Sequence, residues 1–523
     1  MPRAALTTET TQSDIIDALS NGAAYGDAAA EVRRIDTHCS VIFLVKNRAF
    51  KLKKAVKFSY LDYTSVAARE NFTRAELRLN RRTAPQLYLG IRKVVADDDG
   101  RPRLAATDDP APAIDWILEM RRFGDDALLA TLADEDRLTP ALMQDLADAI
   151  HHFHDGAEPT PSYGTVEIAR SVLTDCIDNL RLESPPLDTA IVKQFTGIAK
   201  ASLDKLAPLL DGRRGRGLVR RCHGDLHLGN ICVYEDRPVL FDGIEFSDAI
   251  SCIDVFYDLA FLLMDLCHRD RADLANIVLN RYIDRCGDGE GLAALPYFMS
   301  LRAAIRAHIL AGASKHQDDQ AIADKKRDES IAYLATAAHL LDIKAPPRLV
   351  AIGGLSGSGK STLARALAPA FRPAPGARII RSDTLRKRLL KVAPETRLLP
   401  AAYGLETTKL VYATMQEEAA TGLQAGYSVI VDATYLREIE RRDIEAQAAR
   451  LQVDFAGFWL DVPKEILAAR IEARHNDASD ATRAILEQQF SYDLGAVAWR
   501  RIDAGQGMER TLATLRSALS LPQ

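Results

Sequence analysis

Hydrophobic and polar positions change rhythm twice along the chain. Ser40-Val-Ile-Phe-Leu-Val45 and Ala49-Phe-Lys-Leu-Lys53 flank Lys46-Asn47-Arg48, the pattern of a β-hairpin. Ser65 to Arg82 switches to helical periodicity through Val66, Phe72, Leu77 and Leu79, with Pro85 to stop it. Tyr88 to Val95 and Ile114 to Met120 predict further strands, so the first part is a strand-rich lobe with one helix. From Asp125 to His154 the pattern turns helical, and helices are expected to about Leu341. Arg220 to Phe246 interrupts them with two short strands around turns. Phe256 to Leu266 is the most apolar run; Asp258 and Asp265 break it, which predicts a buried core helix. Beyond the Pro-marked joint Ala345-Pro346-Pro347, strand and helix alternate. Strands are expected at Arg348–Gly353, 377–381, 428–432, 454–460 and 499–503, which means a parallel sheet covered on both faces.

Composition narrows the class. A chain of 523 residues is too long for one core, and two or three domains are expected. With 47% hydrophobic and 27% charged residues it reads as a folded soluble protein. A net charge of −5 argues against a nucleic-acid coat or a polybasic membrane surface, so neither partner is expected. Seven cysteines (Cys39, Cys176, Cys222, Cys232, Cys252, Cys267, Cys286) are odd in number and form no C-x-x-C. They read as free thiols in a reducing, cytoplasmic setting. Residues 1–30 are Ala/Thr/Ser-rich, a short helix with a frayed start, and the opening Met-Pro-Arg-Ala-Ala-Leu has no secretory h-region.

The densest chemical signal is Gly354-Leu-Ser-Gly-Ser-Gly-Lys360-Ser361, which meets the P-loop pattern G-x-x-x-x-G-K-[ST] between a strand and a helix. Glycines let backbone N–H groups turn onto phosphate oxygens, and the new helix points its positive end at the same anion. Gly354, Gly357, Ser358, Gly359, Lys360, Ser361 and Thr362 are the expected nucleotide contacts. Lys360 is expected to reach the β/γ-phosphates, and the Ser361 hydroxyl to hold Mg²⁺.

A second constellation lies upstream. Cys222-His223-Gly224-Asp225-Leu226-His227-Leu228-Gly229-Asn230 contains H-x-D-x-x-x-x-N, and Val239-Leu240-Phe241 leads into Asp242-Gly243. This resembles the core of the aminoglycoside/choline phosphotransferase family, small-molecule kinases on the protein-kinase fold. The resemblance implies Asp225 as the base beside the acceptor hydroxyl, with Asn230 and Asp242 as Mg²⁺ ligands. His223 is expected to pack the loop. The kinase reading also asks for a strand lysine paired with a helix glutamate. Lys51 in Ala49-Phe50-Lys51 is preferred, with Lys53 on the same strand face as its competitor; Glu76 is preferred over Glu70. Glu119 and Met120 are the expected adenine hinge. No Gly-rich loop precedes Lys51, and Lys46-Asn47-Arg48 is the substitute. After Asp242 there is no A-P-E, which favours a small-molecule acceptor over a protein. Asp254 is a candidate substrate contact, with internal pairing as the alternative.

In the last third, Ile379-Ile380-Arg381-Ser382-Asp383 resembles the substrate end of P-loop small-molecule kinases of the gluconate-kinase and zeta-toxin type. That implies Asp383 as a base at a strand's carboxyl end and Arg386 as an acceptor anchor. The alternative is that Asp383 only N-caps the next helix. Ser428-Val-Ile-Val-Asp432 has the form of a Walker B strand, with Asp432 on Mg²⁺. Arg470 and Arg474 precede a polar segment that in the resembled kinases is a lid, or else they form a solvated basic face.

The expected architecture is therefore an α+β protein-kinase-like domain followed by an α/β P-loop domain with a parallel sheet. After the 1–30 extension come 31–343 (31–123 strand-rich lobe, 124–343 helical lobe), a 344–348 linker and 349–523. The expected function is a bifunctional, ATP- and Mg²⁺-dependent kinase passing phosphate to hydroxyls of small metabolites at two sites. Its rivals are one catalytic head gated by an ATP-binding P-loop switch, and a toxin-like nucleotide-sugar kinase head.

Overall fold

The computed structural model describes residues 11–58, 61–342, 345–473 and 479–522. By packing, the chain divides into two compact units. One holds the described residues up to Leu138 together with His152–Gly164 and Arg213–Asp258; the other holds Thr139–His151, Thr165–Gly212 and everything from Leu259 onward.

The first unit is built on a six-stranded antiparallel sheet. Its order is Val32–Asp36, Ser40–Val45, Arg48–Lys53, Asp115–Arg121, Tyr88–Ala96 and Pro102–Ala105. The hairpin falls where alternation predicts it, with Ile42 opposite Lys51. Val32–Asp36 and Pro102–Ala105 were not expected: both are edge strands and partly exposed, the first carrying two adjacent arginines and the second only four residues long and opening on Pro. The Gln12–Leu19 helix closes one face over Phe43, Phe50, Leu52 and Ile117. The Val66–Asn80 helix is N-capped by Ser65 and packs against the Asp115–Arg121 strand. The 220–246 region holds three strands rather than two: Val219–Arg221, Ile231–Tyr234 and Arg237–Leu240.

The second unit carries long helices, including the Leu295–Lys315 and Gln320–Leu341 pair, and a five-stranded parallel sheet. The sheet order is Arg378–Arg381, Val429–Asp432, Arg348–Gly354, Asp454–Asp461 and Arg500–Asp503. The central strands Arg348–Gly354 and Val429–Asp432 are apolar runs because helices bury both faces, whereas the edge strand Arg500–Asp503 buries only Ile502. Leu363, Leu367 and Leu515 pack on one side, and Val411, Met415 and Ile444 on the other. Among the described residues no helix is long and apolar enough to cross a membrane.

Candidate functional sites in the two units

In the first unit, charges of alternating sign converge under the sheet. Lys51 Nζ lies 2.8 Å from Glu76 Oε1 and 2.5 Å from Asp242 Oδ1. Lys53 meets the other Glu76 oxygen at 2.6 Å and also pairs with Glu245. Glu76 therefore serves both lysines; they part at the next partner, Asp242 for Lys51 and Glu245 for Lys53. Glu70, the rival glutamate, pairs with Arg74 in its own helix. Burial opposes every charge in this cluster, yet the carboxylates outweigh it and hold Lys51 well above the usual lysine range. Burial likewise pushes Glu76 up, and Lys51 and Lys53 together bring it below the usual carboxylate range.

Asp242 adopts a left-handed backbone, φ +62°. That conformation is held from both sides. Tyr88 Oη accepts the Asp242 N–H at 3.0 Å, and Asn80 Oδ1 accepts the Gly243 N–H at 2.7 Å. Asn230 Nδ2 donates to the Asp225 carboxylate at 2.8 Å and to its carbonyl at 3.0 Å, closing the loop between them. Below the loop, fully buried Asp258 accepts the His223 and Gly224 N–H groups at 3.0 and 2.8 Å. Burial lowers His223, whose Nε2 lies 2.9 Å from the Phe241 carbonyl; it is a neutral packing residue. Glu119 bonds Arg48 and Arg92, and Met120 stands opposite Ala49 in the strand pair. In the hairpin turn Lys46 is paired with Asp27, so both cations of Lys46-Asn47-Arg48 are engaged by carboxylates. Asp254 is committed elsewhere: both its oxygens take the buried Arg213 guanidinium, at 2.7 and 2.9 Å. This is the internal-pairing alternative; with the Phe256 N–H also donating to Oδ1 at 2.8 Å, most of the carboxylate's acceptor capacity is used inside the fold.

In the second unit a cavity of ≈ 1300 Å³ opens at the carboxyl ends of the parallel strands. Gly357, Gly359, Lys360, Ser361, Asp383, Arg386 and Asp432 all line it. Gly357 and Gly359 take φ +89° and +92°, and a Cβ on Gly357 would lie 2.8 Å from the Leu467 carbonyl, so the loop needs glycine there. Lys360 Nζ donates to the Gly354 and Leu355 carbonyls, each at 2.9 Å. Ser358 is buried within the loop, and Thr362 is exposed on the following helix. Ser361 Oγ donates to Asp432 Oδ2 at 2.5 Å, bringing the two predicted metal-binding side chains together.

Asp383 sits inside the first turn of the Ser382–Leu389 helix, whose N-cap position is Arg381, so its carboxylate is not used as a cap. Burial pushes Asp383 above the usual carboxylate range, helped by Asp432 and opposed by Arg381, Ser479 and Lys360. Arg386 lies over the Tyr403 ring and donates to the Ala402 carbonyl at 3.0 Å. Its Nε is buried and has no hydrogen-bond partner among the described residues. Arg470 donates to the Ser358 and Ala504 carbonyls at 3.5 and 3.2 Å, beside the loop. Arg474 lies outside the described residues.

Several participants were not singled out in the sequence. Asp480 accepts from Tyr403 Oη at 2.7 Å, Leu398 N at 3.0 Å and the fully buried Lys387 at 3.3 Å, tying three cavity walls together. Gln489 bonds both the backbone and the hydroxyl of Ser356, steadying the glycine loop. Tyr88 and Asn80 do the same for the backbone of Asp242 and Gly243, and Glu245 takes Lys53 and the Tyr63 hydroxyl. Only the spacing Asp242-Gly-Ile-Glu245 hinted at one of them.

Fold and site together define a kinase-like phosphotransferase joined to a P-loop kinase domain. Residues 72–295 match the model of the phosphotransferase enzyme family, and residues 349–492 match that of an AAA domain. An uncharacterized protein of Mycobacterium tuberculosis (strain H37Rv) is 29% identical over 489 residues, 91% of this chain and 93% of that protein. A choline kinase from Cryptosporidium parvum Iowa II is 13% identical and aligns with 64% of this chain and 97% of its own, TM-score 0.38. A gluconokinase from Sinorhizobium meliloti 1021 is 22% identical and aligns with 34% of this chain and 98% of its own, TM-score 0.24.

Proposed function

We propose that the chain is a two-headed kinase that transfers the γ-phosphoryl of ATP to hydroxyl groups of small metabolites at two separate sites. The observation that supports this reading best is that each unit holds the lysine and acids the chemistry needs: Lys51 paired with Asp242 beside an Asp225–Asn230 loop in one, and Lys360, Asp383 and Asp432 lining one cavity in the other. The oxygen donors fit Mg²⁺, a hard cation: Asn230 and Asp242 in one head, Ser361 and Asp432 in the other. When bound, Mg²⁺ supplies charge neutralisation on the phosphates.

The protein's own residues do the rest. In the first head Glu76 holds Lys51 extended toward the phosphates, with Glu119 and Met120 at the adenine. Asp225 orients the acceptor hydroxyl and takes its proton as the new P–O bond forms and the bond to the ADP oxygen breaks. In the second head the glycine loop and Lys360 cradle the phosphates, and Asp383 takes the hydroxyl proton. A base in that role gains strength from the burial that raises Asp383. Arg386 shapes the acceptor wall through Tyr403, and Arg470 steadies the phosphate loop.

The test is a metabolite-pool screen with labelled ATP on the full chain, read by mass spectrometry, alongside Asp225→Asn and Lys360→Ala. Two classes of phosphorylated product are expected, each lost in one variant. If neither variant removes any product, the two-site reading is wrong.

A further inference from the structure

The edge strand of the parallel sheet, Arg378–Arg381, has one strand neighbour, Val429–Asp432. Its other side is nonetheless hydrogen-bonded. The Ala272–Cys286 helix lies along it within the same compact unit and presents two buried amides one turn apart, Asn276 and Asn280. Asn280 Oδ1 accepts the Ile379 N–H at 2.7 Å and an Arg378 guanidinium N–H at 3.1 Å. Asn276 Nδ2 donates to the Ala377 carbonyl at 3.0 Å, and Asn280 Nδ2 reaches the same carbonyl at 3.2 Å. A further bond of 3.0 Å, from Asn280 Nδ2 to Asn276 Oδ1, fixes the two amides relative to each other. The pair thus offers the edge one acceptor and one donor, the complement a neighbouring strand would supply. Charge closes the seam: Arg378 meets Asp284 at 2.6 Å, and Arg281 meets Glu395 at 3.0 Å.

This contact sits next to the chemistry. Ile379 is four residues before Asp383, and the intervening backbone passes directly from strand into helix. That helix has no side-chain cap to set its height independently. The start of the helix is thus continuous with the strand, whose free edge is bonded by Asn280. The clamping helix falls within the stretch that matches the phosphotransferase family model, residues 72–295.

Resting on the two-headed reading, we infer that Asn280 is a positioning residue of the P-loop head: by fixing the Ile379 amide from a helix of the phosphotransferase region, it sets the reach of Asp383 toward the acceptor hydroxyl. A buried amide pair on a helix face is otherwise a costly choice for covering a sheet edge. It is well suited to fixing register, because its polar atoms meet donors and acceptors at defined positions on the strand edge.

The experiment uses the full chain carrying Asp225→Asn, so that turnover reports the P-loop head. The probe is ATP·Mg alone with water as acceptor, yielding ADP and inorganic phosphate. Asn280→Ala is expected to raise hydrogen exchange at Ile379 and through 382–386. It is expected to lower kcat on the order of 10²-fold, as a sub-ångström to ångström misplacement of a catalytic group does. KM for ATP stays unchanged, because the glycine loop is on another strand. Asn280→Asp keeps the acceptor for the Ile379 N–H and should recover most of kcat. The inference is overturned if exchange rises at Ile379 alone with kcat intact, or if kcat and ATP affinity fall together with a general loss of protection. If the parent protein shows no Lys360-dependent turnover, the kinase reading of this head fails instead. The clamp is then judged on exchange alone, and is overturned if the change stops short of residue 382.

Discussion

The lysines at the two candidate phosphate sites rest on opposite kinds of partner. Lys51 is gripped by two carboxylates, Glu76 and Asp242, in a buried cluster that includes Lys53 and Glu245. Lys360 leans on two neutral backbone carbonyls of its own loop. The first arrangement depends on residues brought together from 23 to 192 positions apart, and each of its charges needs the others. The second is local and spans a few residues. Preorganisation by opposing charge and preorganisation by backbone are two solutions to one electrostatic task, and they should fail differently.

The largest effects fall on turnover. Asp225→Asn should cost its head roughly 10²–10⁴-fold in kcat, the usual worth of a positioned base. Lys360→Ala should cost the other roughly 10²–10³-fold, as loss of one charge-stabilising donor does. Product-resolved kinetics on the full chain should show each loss confined to one head; losses shared by both would break the comparison. The next effect is on stability. Glu76→Gln removes the shared partner of two buried lysines and should lower unfolding free energy by about 3–5 kcal/mol. Lys360→Ala breaks bonds to the Gly354 and Leu355 carbonyls and should cost about 1 kcal/mol. Denaturant midpoints of the two variants measure the difference directly, and equal shifts would contradict the contrast drawn above.

A pH profile sharpens the picture further. Asp383 must be deprotonated to accept a proton, and burial holds its pKa above the ordinary carboxylate range. The acid limb of the second head's kcat should therefore lie above that range and disappear in Asp383→Asn. The stability sign is the reverse of the usual acidic case. The folded state binds this proton more tightly than the unfolded chain, so Asp383 weakens folding above its folded pKa. That penalty is relieved as pH falls through it. The smallest effect belongs to Tyr88→Phe, which removes one acceptor for the Asp242 N–H and should cost about 1 kcal/mol.

Much of this was legible in the chain because short-range rules govern it. The central parallel strands announced themselves as apolar runs, and the P-loop by glycines that a left-handed backbone demands at 357 and 359. Asp225 and Asn230 were linked by a five-residue spacing that the loop hydrogen bonds reproduce. The polar supports were not legible. Asn80 and Tyr88 act on Asp242 and Gly243 from distant segments, and nothing in their own neighbourhoods distinguishes them from solvated residues. Asp254 misled for the same reason: its partner Arg213 lies 41 positions away. Asn276 and Asn280 sit on a helix whose sequence gives no sign that a sheet edge lies beneath them.

The run Asp242–Lys51–Glu76–Lys53–Glu245 alternates sign at every step. A single substitution at any inner link strands the charges on either side of it, so these five positions are expected to drift together or not at all. In descendants of this chain they should be inherited as a block, with neutral pairs replacing opposite charges two at a time.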